Sequence, residues 1–237
     1  MTEWFEEWFV EKYLELYPHR DEAEAARAVE LIVGTVPFEA GWRVLDVACG
    51  AGRHARAFRS AGARCFGLDL SATLLRVAQG VTDAPLIRAD MRHLPVRLRS
   101  MDLTVNLFTS FGYFENDAEH ASALREMVST LRPGGWFVLD FLNAAAVRRR
   151  LVPKEMLQVG GVEVRVGRSV SADGRYVCKS IESEGQQFVE RVRLFGTEEI
   201  SSMLLDAGIT LRHRFGDYQG APLSETSPRT ILLGQAT

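Results

Sequence analysis

Between residues 43 and 141, short apolar runs of strand length alternate with stretches whose apolar residues recur at helical spacing. A short apolar run is typical of a strand that is buried on both faces. Strands that alternate with helices are typical of a parallel sheet covered by helices on both sides. The pattern predicts strands at 43–49, 64–70, 85–90, 101–108 and 135–141, and helices at 53–61, 71–79 and 117–131.

The pattern changes towards both ends of the chain. Residues 1–40 place aromatic side chains on one helical stripe and then begin a second helix, which predicts an N-terminal helical lid. Residues 155–195 alternate with period two around an Asp-Gly pair at 173–174, which is typical of a hairpin turn. We expect this segment to form a small antiparallel β insertion, either as a substrate cap or as a dimer contact. The remaining segments, 41–154 and 196–237, then form one α/β domain.

Composition excludes several classes of partner. The chain has 237 residues and a formal net charge of −3, which argues against nucleic acid as a partner. Its three cysteines and five histidines lack the spacing of a metal site, so no metal is expected and a reducing compartment fits best. No apolar stretch is long enough to span a membrane. We therefore predict a cytoplasmic monomer or homodimer.

The segment VLDVACGAGRHA, residues 44–55, combines a strand, an acid and two glycines ahead of a helical stretch. Gly50 and Gly52 would let the backbone approach a ligand at the carboxyl end of the first strand, where open parallel sheets bind ligands. Gly50, Gly52 and Ala55 also match the G-x-G-x-x-A dinucleotide fingerprint. The motif alone leaves a dinucleotide and a nucleoside open.

Acids at the ends of the first three strands favour the nucleoside. Asp46 lies within the first strand, where it would repel a pyrophosphate but attract a cation. Asp69 ends the second strand and is placed to accept hydrogen bonds from ribose hydroxyls. Asp90 ends the third strand and is placed to accept from an exocyclic amine. An adenosine with a positive group at its 5′ end satisfies all three, which predicts S-adenosylmethionine as the cofactor.

The chain resembles the class I S-adenosylmethionine-dependent methyltransferases, and within them a bacterial subgroup that acts on small molecules. The resemblance rests on VLDVACGAGR, GLDLS, RADM, DLTVNLFTSFGYF and RPGGWFVLDF, and it is strongest over residues 40–143. It implies a Rossmann-like, doubly wound sheet of seven mostly parallel strands, the last one antiparallel. Ala48 departs from the pattern, because many members carry the first glycine of the loop there, which allows a slightly shifted turn.

The resemblance also implies roles for individual residues. Asp46 and the backbone of residues 48–52 would surround the methionine moiety, Asp69 would hold the ribose, and Phe108 would border the reacting methyl group. Arg53 is a further candidate contact. The full set of predicted cofactor residues is Asp46, Ala48, Cys49, Gly50, Gly52, Arg53, Asp69, Leu70, Asp90, Met91 and Phe108.

The acceptor is less defined. DNA and protein-amide N-methyltransferases of this fold carry [NDS]-P-P-[YF] after the fourth strand, whereas Asn106 is followed here by Leu107 and Phe108, which argues against such substrates. An amine needs no base before attack, but a hydroxyl would benefit from one, and the candidates are Tyr113, Asp140 and His19. Predicted substrate contacts are Tyr13, Tyr17, Arg20, Tyr113, Phe114, Asn143, Tyr218 and Arg229, with a helix N-cap as the alternative for Asn143.

The predicted function is methyl transfer from S-adenosylmethionine to nitrogen or oxygen of a small molecule, through positioning and desolvation. Two alternatives stay open. A nicotinamide-dependent oxidoreductase would use the same glycine fingerprint, although the YxxxK pattern is absent. A non-catalytic S-adenosylmethionine-binding protein would use the insertion as an interaction surface. The acidic balance argues against a third alternative, an RNA methyltransferase.

Overall fold

The computed structural model describes residues 22–237. The helices of this part of the chain are α1 (Glu22–Thr35), α2 (Arg53–Ser60), α3 (Ala72–Val81), α4 (Asp117–Ser129), α5 (Ala144–Arg150) and α6 (Thr197–Asp206). Its strands are β1 (Arg43–Val47), β2 (Arg64–Asp69), β3 (Leu86–Arg88), β4 (Met101–Asn106), β5 (Leu131–Leu142), β6 (Lys154–Val159), β7 (Val162–Val170), β8 (Tyr176–Ser183), β9 (Gln186–Arg193), β10 (Ile209–Phe215) and β11 (Arg229–Ala236).

Seven strands form one sheet in the order β10-β11-β5-β4-β1-β2-β3. Every pair from β5 to β3 is parallel, whereas β11 is antiparallel to both of its neighbours. The predicted fold class, including the antiparallel last strand, is therefore confirmed.

Side chains of each strand alternate between two apolar layers, because successive residues of a strand point to opposite faces. On one face, Val44 of β1 joins a core cluster with Ile32 of α1 and Phe58 of α2. On the other, Leu45 joins a cluster with Met127 of α4 and Leu204 of α6, which we call the α4-side core. Helix α1 thus belongs to the core layer of the sheet, and the first 21 residues of the predicted lid lie outside the described part of the chain.

The insertion is a separate antiparallel sheet in the order β6-β7-β8-β9, joined between β7 and β8 by the turn that contains Gly174. Its apolar face packs Val164, Val166 and Ile181 against Leu74 of α3. Contacts with Leu74 bring the sheet to the helix that directly follows Asp69 at the end of β2.

The other end of the insertion is fastened to the N-terminus of α4. The buried guanidinium of Arg193 forms ion pairs with Asp117 (3.2 Å) and with Glu199. Arg175 also pairs with Asp117, and the Tyr176 hydroxyl donates to the Glu115 carbonyl at 3.0 Å. The insertion is therefore tied to the larger domain by charge at one end and by apolar packing near the other.

No helix within residues 22–237 is both long and apolar enough to span a bilayer. The same residues contain no group of three or more histidine, cysteine, aspartate or glutamate side chains that could hold a metal ion.

Candidate cofactor and acceptor site

The sheet order reverses between β1 and β4, and open α/β sheets bind ligands at such a switch point. The loop of residues 48–52 leaves the carboxyl end of β1, and the segment that begins with Leu107 leaves the end of β4. The Asn106 amide joins the two strand ends by donating to the Val47 carbonyl at 3.0 Å. Asn106 is completely buried, and its Oδ1 atom has no hydrogen-bond partner within residues 22–237.

Three residues of the loop after β1 have left-handed backbone: Ala48 (φ 59°), Gly50 (φ 54°) and Gly52 (φ 82°). This conformation costs a residue with a Cβ atom about 1–2 kcal/mol, so Ala48 adopts it at an energetic cost. A Cβ atom on Gly52 would lie 3.0 Å from both Ala78 and Thr82. Gly52 is therefore also needed for the close packing of α2 against α3.

Asp46 is buried inside β1 and its carboxylate is incompletely paired. It accepts the Ala55 N–H, but its Oδ2 atom has no hydrogen-bond partner among residues 22–237. Burial, reinforced by the nearby charge of Asp69, raises the pKa of Asp46 to about 8, although Arg53 acts in the opposite direction. An unpartnered buried carboxylate is costly, and its position beside the glycine loop fits a cationic group of a ligand.

Asp69, at the end of β2, accepts two backbone hydrogen bonds. Its Oδ2 accepts the Gly50 N–H and its Oδ1 accepts the Ser71 N–H, both at 2.8 Å. Burial raises the pKa of Asp69, although these backbone donors oppose the shift. Each carboxylate oxygen accepts more than one hydrogen bond, so Asp69 keeps acceptor capacity for ribose hydroxyls. Ser71 caps α3 by accepting from Leu74 N–H, which frees Asp69 from that role.

Cys49 serves the loop through packing. Its backbone N–H donates to the Leu68 carbonyl at 2.9 Å, and burial raises the pKa of its thiol. A Cβ atom on Gly67 would lie 2.9 Å from the Cys49 sulfur, so the glycine makes room for it.

Asp90 lies beyond β3 and is paired within the protein. Arg92 donates to both of its carboxylate oxygens and also binds Glu119 at 2.8 Å. Burial opposes ionisation, but the Arg92 hydrogen bonds outweigh it and hold the pKa of Asp90 below its usual value. Leu70 and Met91, the predicted adenine contacts, are partly buried against the α4-side core. The adenine roles of Asp90, Met91 and Leu70 stay predictions.

The end of β4 is strained. Phe108 (φ 60°) and Thr109 (φ 63°) are consecutive residues with left-handed backbone, and neither is glycine. Two such residues cost about 1–2 kcal/mol each and persist only where their surroundings fix them. The Phe108 ring lies under the guanidinium groups of Arg53 (5.3 Å) and Arg229 (4.9 Å).

Asp140, near the end of β5, is the centre of the network that holds this segment. It is completely buried, and its carboxylate accepts the Phe108 N–H (2.9 Å), the Tyr218 hydroxyl (2.5 Å) and the Arg229 Nε (2.5 Å). Burial together with the Asp140 charge raises the pKa of Tyr218, so its hydroxyl stays protonated and donates. Both oxygens of Asp140 thus have partners inside the protein, which argues against Asp140 as a general base, and its role in catalysis stays a prediction.

Two predicted substrate contacts have partners within the protein, and Asn143 forms the helix N-cap that was its alternative role; a substrate role for either residue stays a prediction. The Asn143 side chain caps α5 by accepting from Ala145 and Ala146, and it donates to the carbonyls of Ser224 and Ser227. Phe114 is buried in the α4-side core.

The remaining predicted residues differ in placement. Tyr113 is partly buried against the same core, and Tyr218 and Arg229 lie beside Phe108 through Asp140. Tyr13, Tyr17, His19 and Arg20 lie outside the described residues.

His54, Arg92 and Thr109 were missed by the sequence analysis. Burial, together with the charges of Arg53 and Arg229, lowers the pKa of His54 to about 3, so this histidine is neutral. Its Nε2 atom has no partner within the described chain. The sequence carries a signal only for Arg92, which stands two residues after Asp90.

The comparisons with known proteins agree with this geometry. A family model described as a methyltransferase domain matches residues 44–135. The dTDP-3-amino-3,4,6-trideoxy-alpha-D-glucopyranose N,N-dimethyltransferase of Streptomyces venezuelae is 33% identical over 213 residues, which cover 85% of this chain and 88% of that protein. The demethylmenaquinone methyltransferase of Renibacterium salmoninarum is 31% identical over 194 residues, covering 79% of this chain and 78% of that protein.

A solved structure adds support for the fold. An S-adenosylmethionine-dependent methyltransferase from Clostridium acetobutylicum superposes with a TM-score of 0.82 at 16% identity, covering 95% of this chain and 98% of the other. The switch-point loop with its acids, the matching family model and the relative that is 33% identical over most of its length lead to one conclusion. The chain belongs to the S-adenosylmethionine-dependent methyltransferases.

Proposed function

We propose that this enzyme methylates an amine nitrogen of a small polar molecule. S-adenosylmethionine supplies a methyl group that its sulfonium sulfur has already activated. Asp46, Asp69 and the loop of residues 48–52 would hold it, because Asp46 offers an unpartnered buried oxygen to a cation and Asp69 retains acceptor capacity. The task of the protein is then to orient the acceptor and to exclude water.

The commitment of Asp140 is the observation that favours nitrogen over oxygen. A hydroxyl acceptor benefits from a positioned base, whereas an amine attacks in its neutral form. The acid that binds the Phe108 N–H is completely buried and already accepts hydrogen bonds from Tyr218 and Arg229, so it is poorly placed to take a proton from an acceptor. An amino sugar is the first acceptor class to test, because the relative from Streptomyces venezuelae is named for such a substrate.

The acceptor would lie between Phe108 and the insertion. Tyr113, Tyr218 and Arg229 border this space from the sheet domain, and the insertion would form its roof, since its apolar face reaches Leu74 beside the cofactor acids. This role for the insertion is preferred over a dimer contact because the packing against α3 is made within one chain.

The test is methyl transfer from labelled S-adenosylmethionine to matched acceptors. The probes are a dTDP-linked 3-amino sugar, the same sugar with a 3-hydroxyl group, and demethylmenaquinone as a carbon acceptor. We expect label on the amino sugar alone, and reduced transfer by Asp69→Ala when S-adenosylmethionine is below saturation. Transfer to the hydroxyl sugar or to the quinone in preference to the amine would overturn the assignment to nitrogen.

Calorimetry separates the predicted cofactor from the nicotinamide alternative. We expect S-adenosylhomocysteine to bind and NADH not to bind. Binding of NADH without binding of S-adenosylhomocysteine would refute the proposed function. Cofactor binding without transfer to any acceptor in a metabolite extract would instead favour the non-catalytic alternative.

A further inference from the structure

The left-handed backbone just after β4 is stabilised by two hydrogen bonds to a single residue, Asp140. The Phe108 N–H donates to the Asp140 carboxylate at 2.9 Å, and the Thr109 N–H donates to the Asp140 carbonyl at 3.0 Å. One residue of β5 therefore fixes two consecutive left-handed residues of the neighbouring segment. Those two hydrogen bonds offset part of the preference of Phe108 and Thr109 for ordinary backbone.

Arg229 contacts the same segment and also binds Asp140. Its Nε donates to Asp140, its Nη2 donates to the Thr109 hydroxyl at 3.3 Å, and its guanidinium carbon lies 4.9 Å from the centre of the Phe108 ring. The Tyr218 ring lies 5.4 Å from the same guanidinium and its hydroxyl also binds Asp140. Arg229 is therefore bracketed by two rings and an acid, and both the backbone and the ring of Phe108 are held in one arrangement.

The geometry points to Asp140, with Arg229 and Tyr218, as a positioning network that sets the Phe108 ring against the transferring methyl group. The inference rests on the proposed function, because it takes Phe108 as the wall beside the methyl group. It gives the buried acid a purpose other than proton transfer. Asp140 acts through Phe108 and touches neither cofactor nor acceptor.

Comparing two ligands tests this inference without a known acceptor. S-adenosylmethionine carries the methyl group and a positive sulfonium charge, and S-adenosylhomocysteine lacks both, so the ratio of their Kd values reports the packing around the methyl group together with the local charge. The charge-conserving variants Tyr218→Phe and Arg229→Lys separate the two contributions. A displaced Phe108 ring removes this packing from S-adenosylmethionine only. We expect Asp140→Asn to weaken S-adenosylmethionine about fourfold more than S-adenosylhomocysteine, which is the factor that corresponds to burial of one methyl group.

A double-mutant cycle distinguishes positioning from a general loss of structure. Phe108→Leu should change the Kd ratio in the same direction, and Asp140→Asn should have no further effect on the ratio in the Phe108→Leu background. Additive effects of the two substitutions, or an equal loss of affinity for both ligands in Asp140→Asn, would overturn the inference. Tyr218→Phe and Arg229→Lys provide milder versions of the same test if Asp140→Asn does not fold, with a smaller shift in the same direction.

Asp102→Asn is the matched control. Asp102 lies at the opposite end of β4, where it pairs with Arg132 at 2.5 Å and accepts the Arg43 N–H at 2.7 Å. Loss of that carboxylate should leave the Kd ratio unchanged, and a shift equal to that of Asp140→Asn would overturn the inference. Failure of the unaltered protein to bind either ligand would refute the proposed function together with the inference, whereas normal binding with an unmoved ratio refutes the inference alone.

Discussion

Buried acids on the two sides of the switch point differ in how many hydrogen-bond partners the protein gives their carboxylates. Within residues 22–237, one oxygen of Asp46 has no hydrogen-bond partner and the pKa of Asp46 is raised, while the donors to the Asp69 carboxylate are backbone N–H groups. Asp140, which is buried to the same degree, is surrounded by an arginine, a tyrosine and a backbone N–H. An acid whose partners are all in the protein maintains shape, whereas an acid left short of partners is held ready for a ligand.

Removing the charge of Asp140 should have the largest effect on stability. Asp140→Asn leaves the buried Arg229 guanidinium without its counter-ion, and breaking one side of a buried ion pair costs about 3–5 kcal/mol. The free energy of unfolding in urea measures the loss. Asp102→Asn, whose partner Arg132 is largely exposed, should cost only about 1 kcal/mol or less. Equal losses in the two variants would show that the Asp140 carboxylate contributes no more to stability than the Asp102 carboxylate.

The same change at Asp46 should stabilise the protein. The folded-state pKa of Asp46 is about 8 against an ordinary value of 3.8, so the folded protein retains a proton that the unfolded chain releases between those values. Stability from this group therefore falls as the pH rises through that window. We expect Asp46→Asn to gain about 2–4 kcal/mol over the unaltered protein at pH 8 and little at pH 4.

Urea titrations from pH 4 to pH 9 measure this gain. Asp102→Asn serves as the opposite case, because hydrogen bonds from Arg43 and Arg132 outweigh burial and hold the pKa of Asp102 below its usual value. Its carboxylate contributes stability that is present above the unfolded pKa and is lost as the pH falls. A stability difference between Asp46→Asn and the unaltered protein that does not depend on pH would show that Asp46 carries no raised pKa.

Asp69→Ala should weaken S-adenosylhomocysteine binding roughly tenfold to a hundredfold, because it leaves the ribose hydroxyls without an acceptor. Calorimetry measures the change in Kd. Asp83→Ala removes an exposed acid just beyond α3, paired with Arg59, and should leave Kd unchanged. Unaltered affinity in a well-folded Asp69→Ala protein would refute the placement of the ribose.

Ala48→Gly should have the smallest effect. Relief of the left-handed backbone gains about 1–2 kcal/mol, and the greater freedom of glycine in the unfolded chain takes back about 0.5–1 kcal/mol. We expect a net stabilisation between zero and about 1.5 kcal/mol from urea midpoints. Ala121→Gly in the middle of α4 should lose about 1 kcal/mol instead. A loss of stability in Ala48→Gly would indicate that the methyl group of Ala48 contributes packing.

The sheet and the loop after β1 could be predicted because their signals are local. An apolar run followed by glycines specifies a buried strand and a tight turn, and both lie where the pattern predicts them. The resemblance supplied the antiparallel direction of β11, which no local pattern encodes. The contacts of Asp140 could not be predicted, because Arg229 and Tyr218 are 89 and 78 residues away along the chain.

The directions of individual side chains could not be predicted for the same reason. Phe114 and Asn143 follow β4 and β5 and are predicted substrate contacts, but the direction of a side chain depends on what packs beside it. Phe114 turns into the core beside His120, and Asn143 is used by α5 and by the loop before β11. Single-residue roles at strand ends therefore need the three-dimensional neighbours that only the fold supplies.

The way the insertion is attached has an evolutionary consequence. Its ion pairs with α4 involve only Arg175 and Arg193, at one end of the small sheet, while the turns at Gly160–Gly161 and Glu184–Gly185 lie at the other end. This attachment would allow residues 154–193 to be exchanged between related enzymes, provided that Arg175, Arg193, the Tyr176 hydroxyl and the patch on Leu74 are retained. Such exchange would diversify acceptors while the donor-binding half of the enzyme stays constant.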